Sequence, residues 1–366
     1  MRRTTEQRLA DWGFWILIVV SLAIGSQNRF RGLVGPHMSI AALLLLALLT
    51  SVAAAGAISI YAHRHIAHGA VVHIHPALAL TLRAWIWMWT GTNCRRWAAV
   101  HIKHHRASDS VGDPHSPVIE SSVIRLNPWT NWGRYRAAMS NESIQENCRP
   151  AHGAQPDKWD RAVFDRTDRG PWMGGAALTV LLGPFVGLFV WFTHTVLFLT
   201  YTAMVNSLGH GYGYQRFTNH GARYTGNSFL LSLFDGGESF HNNHHGDPQS
   251  PFLGRTRWEL VADWPALLLM VWAKLGLVAL RTPSSSVPSI RHPQFAVSAA
   301  AMTHLMSSEH ITTSSARRRV LAIDDAARPS FAAAKRDARN RSTAPRRRRP
   351  DKPTAQRSAN QEGANP

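Results

Sequence analysis

Cysteine is almost absent from this chain of 366 residues, which has only Cys94 and Cys148 beside 20 histidines. Two cysteines cannot build a disulfide framework, a four-thiolate zinc site or an iron–sulfur cluster, so we expect any metal to be bound through nitrogen. The two thiols are interpreted as spectators in a reduced cytosolic setting. The sequence also lacks a Gly-rich phosphate-binding loop, a dinucleotide fingerprint and a G-x-S-x-G motif. No nucleotide-binding or serine-hydrolase chemistry is therefore indicated.

Acidic residues are few as well, because 22 Asp and Glu stand against 40 Lys and Arg. Much of the positive excess lies in residues 281–366, which are rich in Ser, Pro, Ala and Arg. We interpret this part as a disordered basic tail near a negatively charged membrane surface, and we expect no nucleic-acid partner. Residues 1–11 are interpreted as a cytosolic N-terminus, and residues 12–280 as one membrane domain.

Three apolar stretches predict membrane crossings. Ser39 to Tyr61 is the clearest, since about 20 apolar residues cross a hydrocarbon core of ~30 Å. Trp12 to Ser26 predicts a shorter first crossing. Trp172 to Val205 contains no charged residue and predicts two helices that turn at Gly183, Pro184 and Gly187.

Two further apolar runs are too short to cross. Pro76 to Trp89 is interrupted by Arg83 and predicts an interfacial or re-entrant helix. Pro265 to Leu275 predicts a helix that lies on the membrane surface.

Histidines recur with the same spacing in two places. His101, His104 and His105 occupy positions i, i+3 and i+4, which predicts that the three rings converge from one helix face. The stretch His241–His245 repeats this H-x-x-H-H pattern. Two such clusters in a chain with apolar runs indicate a metal centre at a membrane surface.

Other histidines follow the apolar runs directly. His63 and His68 come after the clearest one, but a step of five residues separates them by about 140° on an ideal α-helix. Both can face one metal only if the helix frays or bends. His210 ends the predicted helical hairpin, and Asn206, one turn earlier, could hold a metal-bound water.

Together these positions give nine candidate ligands, more than one ion can use, whereas two ions can take four or five each. They are His63, His68, His101, His104, His105, His210, His241, His244 and His245. Asp109, Asp113 and Glu238 are candidates to accept the second ring N–H of a ligating histidine. Turn formation would explain Asp109 and Asp113 equally well. His65, His73, His75 and His194 have no ligand spacing and are interpreted as surface, outer or packed histidines.

The stretches His63–His68, His101–His105 and His241–His245, with Asn206–His210, resemble the histidine boxes of membrane-bound fatty acid desaturases. The text Phe-His-Asn-Asn-His-His is similar to the bacterial Δ9 acyl branch. The resemblance covers roughly residues 12–280. It implies an all-α membrane protein with about four transmembrane helices. It also implies a cytosolic helical cap that carries a histidine-rich di-metal site, with two Fe²⁺ ions held by the nine histidines and a water on Asn206.

The resemblance also implies the reaction and its partners. An O2-dependent acyl desaturase introduces a cis double bond, at Δ9 in this branch, into a saturated acyl chain of an acyl-CoA or an acyl phospholipid. No His-Pro-Gly-Gly haem motif is present, so electrons are expected from an external ferredoxin or cytochrome with its reductase. The implied location is the bacterial inner membrane, with the active site and both termini in the cytosol.

The cations near the second histidine box, and the class of the protein, each allow more than one interpretation. The cations Arg95, Arg96, Lys103 and Arg106 either bind the phosphates of an activated acyl group or reflect the positive-inside bias of membrane proteins. A related di-iron hydroxylase or ketolase acting on a lipid or hydrocarbon is the nearest alternative, although its first box is often H-x3-H. A membrane protein that binds metal without catalysis is the non-enzyme alternative.

Overall fold

A computed structural model describes residues 38–118, 125–150, 152–153, 155–218 and 222–282, together with Ile16 and Val19. The predicted N-terminus at 1–11, the short crossing at Trp12 to Ser26 and the basic tail from residue 283 lie outside the described residues, apart from those two positions. The described part is mostly helical.

The chain first forms one long apolar helix. Helix α1, Ile40–Ala57, begins at Ser39, whose hydroxyl accepts a hydrogen bond from the Ala42 amide at 3.2 Å. It continues without a break as a π-helix, Ile58–Ala67. Over its 28 residues this helix is long and apolar enough to cross a membrane. Among the described residues, Pro184–His210 is the other helix that passes this test of length and composition.

The predicted helical hairpin is confirmed, with one correction. Helix α6, Arg169–Leu182, and helix α7, Pro184–Ser207, are joined by Gly183 alone, which has a φ of 87°. Gly187, also predicted as a turn residue, lies inside α7, where a Cβ atom would come within 2.6 Å of the Leu178 backbone. This glycine therefore serves the close packing of two helices.

Shorter helices surround these long ones. In chain order they are α2 Pro76–Thr90, α3 Cys94–Ala107, α4 Pro128–Met139, α5 Glu142–Asn147, α8 Phe229–Asp235, α9 His241–Gly246, α10 Arg257–Ala262 and α11 Trp264–Lys274. A π-helical turn at Asp160–Phe164 and a 3-10 turn at Leu208–His210 complete the helical elements of the described part. Helix α3 packs against the π-helix Ile58–Ala67, and α4 packs against α3 and α7. Residues far apart in the chain are thereby brought to the end of the two longest helices.

The structure adds a small antiparallel sheet that the all-α prediction missed. Strand β1, Val71–Ile74, pairs with β2, Val278–Leu280, so that Val71 faces Leu280. The register shifts between Val71 and His73. Strands of three and four residues carry too little alternation to be read from sequence. The pairing holds Val278–Leu280, near the end of the described chain, against the strand that follows the first histidine box in the sequence.

Candidate metal centre

The first histidine box depends on the π-helix. In this conformation backbone hydrogen bonds join residues five apart, which places such residues above one another. The His68 amide donates to the His63 carbonyl oxygen at 3.1 Å, and the two rings have centroids 4.9 Å apart. The bend that the sequence required between these two residues is thus supplied by a wider helical turn.

The nine predicted histidines form two adjacent groups. The five-histidine group contains His63, His68, His101, His105 and His244. The four-histidine group contains His104, His210, His241 and His245. Within each group the possible ligand atoms all lie within 4.8 Å of one another.

The prediction that each H-x-x-H-H box converges on one point is wrong. In both boxes the residues at i and i+4 stay together, while the residue at i+3 joins the other group. The physical reason is the 100° turn per residue of an α-helix, which places i+3 and i+4 on opposite sides of residue i. His104 and His244 are the two that cross over, so each box contributes to both groups.

The ring nitrogens have the spacing that metal coordination requires. In the five-histidine group, Nε2 of His105 lies 3.0 Å from Nε2 of His101 and 2.7 Å from Nε2 of His244. In the four-histidine group, Nε2 of His241 lies 2.8 Å from that of His210 and 3.1 Å from that of His245. Two nitrogens each about 2.1 Å from one ion and at right angles to each other are about 3 Å apart. The donor set, all imidazole, fits iron, zinc, copper or nickel.

Three carboxylates contact the Nδ1 atoms of rings in these groups, on the side of each ring opposite to Nε2. Nδ1 of His63 lies 2.7 Å from Glu238, Nδ1 of His210 lies 2.7 Å from Asp109, and Nδ1 of His104 lies 2.9 Å from both oxygens of Asp113. A proton on Nδ1 that is donated to the carboxylate leaves the Nε2 lone pair free for a metal. The structure thus places all three predicted carboxylates in contact with a candidate ligand.

Electrostatics oppose protonation of the three imidazoles in the stretch His241–His245. Burial, and then the neighbouring imidazoles, lower the pKa values of His241, His244 and His245 well below the usual value. Burial alone would raise the pKa of Asp109, but the adjacent His210 lowers it overall. Neutral imidazoles at these three positions and an ionised Asp109 are the protonation states that favour the binding of a cation.

Three other candidate residues, Asn206, Arg95 and Arg106, have protein partners in the structure. Asn206 is buried near the end of α7, where its amide donates to Asn131 Oδ1 at 3.0 Å. Arg95 is engaged by Asp160 and Asp165 at 3.1 and 2.8 Å. Arg106 donates to the Asn147 carbonyl oxygen at 2.7 Å.

The histidines without ligand spacing are not members of either group. His194 is fully buried and hydrogen-bonded to Thr50 and to the Trp89 carbonyl, each at 3.1 Å, in agreement with a packed role. His65 contacts the Val71 carbonyl oxygen through Nδ1 at 2.7 Å. His73 on β1 and His75, directly before α2, are both exposed.

A stack of rings that the sequence did not predict joins the two groups. His101 is parallel to Trp97 with centroids 4.9 Å apart, Trp97 to Tyr135 at 6.3 Å, Tyr135 to His115 at 4.6 Å, and His115 to His104 at 4.5 Å. The spacing of Trp97, four residues before His101, was the one signal available for the first contact. The remaining contacts depend on how α4 packs, which is not encoded locally.

A cavity of about 480 Å³ lies beside the histidine groups. His101, His241 and Glu238 line it together with apolar side chains such as Phe198 and Leu199. Arg96, Trp129, Trp132, Arg136 and Ser140 also line it and are exposed, so this side opens to the surface. Lys103, Arg95 and Arg106 are not among the lining residues.

The structure combines a mostly helical fold, two long apolar helices and two histidine groups that could each hold a metal ion beside a largely apolar cavity. The profile of the fatty acid desaturase family matches residues 39–281. This chain therefore belongs to the membrane fatty acid desaturase family.

Three curated relatives show the breadth of that similarity. An acyl-CoA C20 Delta5-desaturase of Anemone leveillei is 30% identical over 194 residues, which cover 51% of this chain and 57% of that protein. Delta-9 acyl-lipid desaturase 2 of Arabidopsis thaliana is 28% identical over 181 residues, 46% of this chain and 52% of that protein. The sn-1 stearoyl-lipid 9-desaturase of Synechocystis is 28% identical over 185 residues, 50% of this chain and 53% of that protein. The chain thus spans little more than half the length of these relatives.

Proposed function

We propose that this protein is an O2-dependent acyl desaturase that introduces a cis double bond, at Δ9, into a saturated acyl chain. The observation that carries the proposal is that His101 and His241, one from each histidine group, line the apolar cavity. A chain bound there passes both candidate metal positions. Two relatives whose names specify position 9 support the choice of that carbon.

Two Fe²⁺ ions bound by the nine histidines would supply the redox chemistry with O2 that breaking an unactivated C–H bond requires. Overall, the acyl chain loses two hydrogens, and O2 takes up these with two electrons and two protons from outside to give two waters. The electrons come from a separate ferredoxin or cytochrome with its reductase. Asn206 is proposed to position a water on the four-histidine side, from its buried place on the cavity wall.

The residues of this chain bind and orient the substrate. Phe198, Leu199 and Trp97 exclude water from the acyl chain along the cavity. Glu238, Asp109 and Asp113 fix the orientation of the rings behind them. The chain length and the position of attack then follow from how far an acyl chain can enter.

The carrier of the acyl chain is proposed to contact the open side of the cavity. Arg96, among the four predicted cations, is the one that lines it, and Arg136 lies nearby with its guanidinium 4.7 Å from the Trp132 ring centroid. Two exposed guanidinium groups suit a phosphate, which both acyl-CoA and acyl phospholipid possess. The relatives include acyl-CoA and acyl-lipid desaturases, so either carrier is compatible with the family.

The proposed topology follows the family. Four crossings are formed by residues 12–26, by the helix that starts at Ile40, and by α6 and α7, with a cytosolic cap that includes α3, α4 and α9. The two helices that are long and apolar enough to cross support this arrangement. Residues 12–280 form the catalytic domain in the bacterial inner membrane, both termini are cytosolic, and the tail from 281 is dispensable.

Lipid analysis of cells that express the full chain tests the proposed reaction. Wild-type protein should produce new monounsaturated chains, whose double-bond position is located by mass spectrometry of derivatised fatty acids. His105→Ala and His245→Ala, one from each group, should abolish the product, whereas His73→Ala, at an exposed ring on β1, should retain it. Hydroxylated lipids would favour the hydroxylase alternative, and unchanged lipids despite two bound irons would refute desaturation.

A further inference from the structure

The two histidine groups differ in how far they are enclosed. All four rings of the four-histidine group are buried. In the five-histidine group, His68 and His105 are only partly buried, so an ion there is close to the protein surface. In the four-histidine group, every candidate ligand is buried.

The groups also differ in the negative charge behind their rings. Asp109 and Asp113 hold two of the four rings through His210 and His104. Among the described residues, Glu238 is the one carboxylate that pairs with the five-histidine group, through His63. A carboxylate behind an imidazole makes it a stronger donor, and loss of such a partner weakens metal binding by about 10–100-fold.

We propose that the two metal positions are unequal: the four-histidine group retains a resident ion, and the five-histidine group holds an ion that exchanges through the surface at His68 and His105. This inference rests on the proposed iron centre and extends it to the order of loading. The first iron to bind occupies the enclosed group, and the first to leave departs from the open one. The fifth ligand of the open group does not compensate, because its two partly buried rings can move away from the ion one at a time.

Iron release from the full-length protein tests this inequality. Protein in detergent that contains two irons is mixed with bathophenanthroline disulfonate, and the coloured ferrous complex is followed against time. Release should occur in two phases of one iron each. Removal of the fast-released iron yields a one-iron form for chemical mapping.

Variants assign each phase to a group. Asp109→Asn and Asp113→Asn keep the size and an acceptor atom but remove the charge, and each should accelerate the slow phase by about 10–100-fold. Glu238→Gln should accelerate the fast phase. Asp247→Asn is the matched control, since Asp247 lies two residues after His245 yet pairs with Arg255 at 3.1 Å.

Chemical mapping of wild-type protein gives an assignment that does not depend on any variant. Diethyl pyrocarbonate modifies the Nε2 atom of free imidazoles, and a bound metal blocks it. Peptide mass spectrometry should find His68 and His105 protected in the two-iron form and modified in the one-iron form. Continued protection of His68 and His105 in the one-iron form would place the retained iron in the open group and overturn the assignment.

The possible failures are distinguishable. Release of both irons in a single phase would overturn the inequality while leaving the proposed centre intact. A fast phase that responds to Asp109→Asn and not to Glu238→Gln would reverse the assignment of the groups. Purified protein that binds no iron would refute the centre on which the inference rests.

Discussion

His104 and His105 are neighbours in the chain, yet they belong to different histidine groups. Nε2 of His104 lies 3.3 Å from Nε2 of His245, whereas Nε2 of His105 lies 2.7 Å from Nε2 of His244. The ring planes of the two neighbours are 77° apart. A single helix thereby contributes to both proposed metal positions.

This division predicts which pairs of substitutions remove one iron and which remove two. His104→Ala with His245→Ala alters one group only, so the protein should retain about one iron per chain. His104→Ala with His105→Ala alters both groups, although the residues are adjacent, and should leave almost none. The iron content per protein chain of each double variant is measured by inductively coupled plasma mass spectrometry. Equal iron content in the two variants would contradict the division of the histidines into these groups.

Close helix packing predicts opposite effects for two glycine substitutions. In Gly187→Ala the added methyl would meet the Leu178 backbone at 2.6 Å, so overpacking should cost about 1–3 kcal/mol. Gly133→Ala is the matched control, because no atom lies within 4 Å and alanine favours a helix by about 1 kcal/mol. Thermal unfolding in detergent should show a lower Tm for the first variant and an unchanged or higher Tm for the second. An unchanged Tm for Gly187→Ala would mean that α6 and α7 are not so close.

A buried ion pair beside the first box predicts a large loss of stability. Nη2 of Arg64 lies 2.6 Å from Asp263 Oδ1, and both side chains are almost fully buried. Arg64→Met would leave Asp263 charged and unpaired, at a cost of about 3–5 kcal/mol. Asp157→Asn breaks the more exposed pair with Arg83 and should cost less than about 1 kcal/mol. Similar Tm values for these two variants would contradict the burial of the Arg64 pair.

The buried carboxyl of Asp235, on the cavity wall, should make the stability of the protein depend on pH. Burial raises its pKa to about 7, above a value of about 3.9 in an unfolded chain. Between pH 4 and 7 the folded protein keeps a proton that the unfolded chain has lost. The contribution of Asp235 to stability is therefore complete below pH 4 and lost as the pH rises through 7.

Asp235→Asn should remove this loss, so the Tm difference between variant and wild type should grow from pH 5 to pH 8. Asp157→Asn is the control, because the Arg83 hydrogen bond holds the pKa of Asp157 at about 2, outside that interval. A Tm difference for Asp235→Asn that stays constant from pH 5 to 8 would show that the carboxyl does not titrate there.

The sequence predicted the residues of the candidate centre better than their arrangement. The nine histidines and the three carboxylates behind them could be recognised because ligand spacing and local turns are written in the chain. The membership of each ring in one group or the other could not be predicted. It depends on how α3 lies relative to α9 and the π-helix, which decides the partners of His104 and His105. The π-helical turn between His63 and His68 was also not predicted, because an ideal α-helix would place these two residues about 140° apart.

The same limit applies to the fold. The hairpin at Gly183 could be read because glycine and proline interrupt a long apolar run. The pairing of β1 with β2 could not be predicted, because the paired residues are about 200 positions apart and each strand is only three or four residues long.

The β1–β2 pairing determines where the chain leaves the described part of the structure. The Arg281 amide donates to the Ala70 carbonyl oxygen at 2.9 Å, and its guanidinium contacts the Gly69 carbonyl oxygen, immediately after His68. A nitroxide or fluorophore attached at Thr282 would therefore stand next to the open histidine group. Paramagnetic relaxation or quenching of that label offers a spectroscopic report of iron arriving and departing, without any change to a ligand.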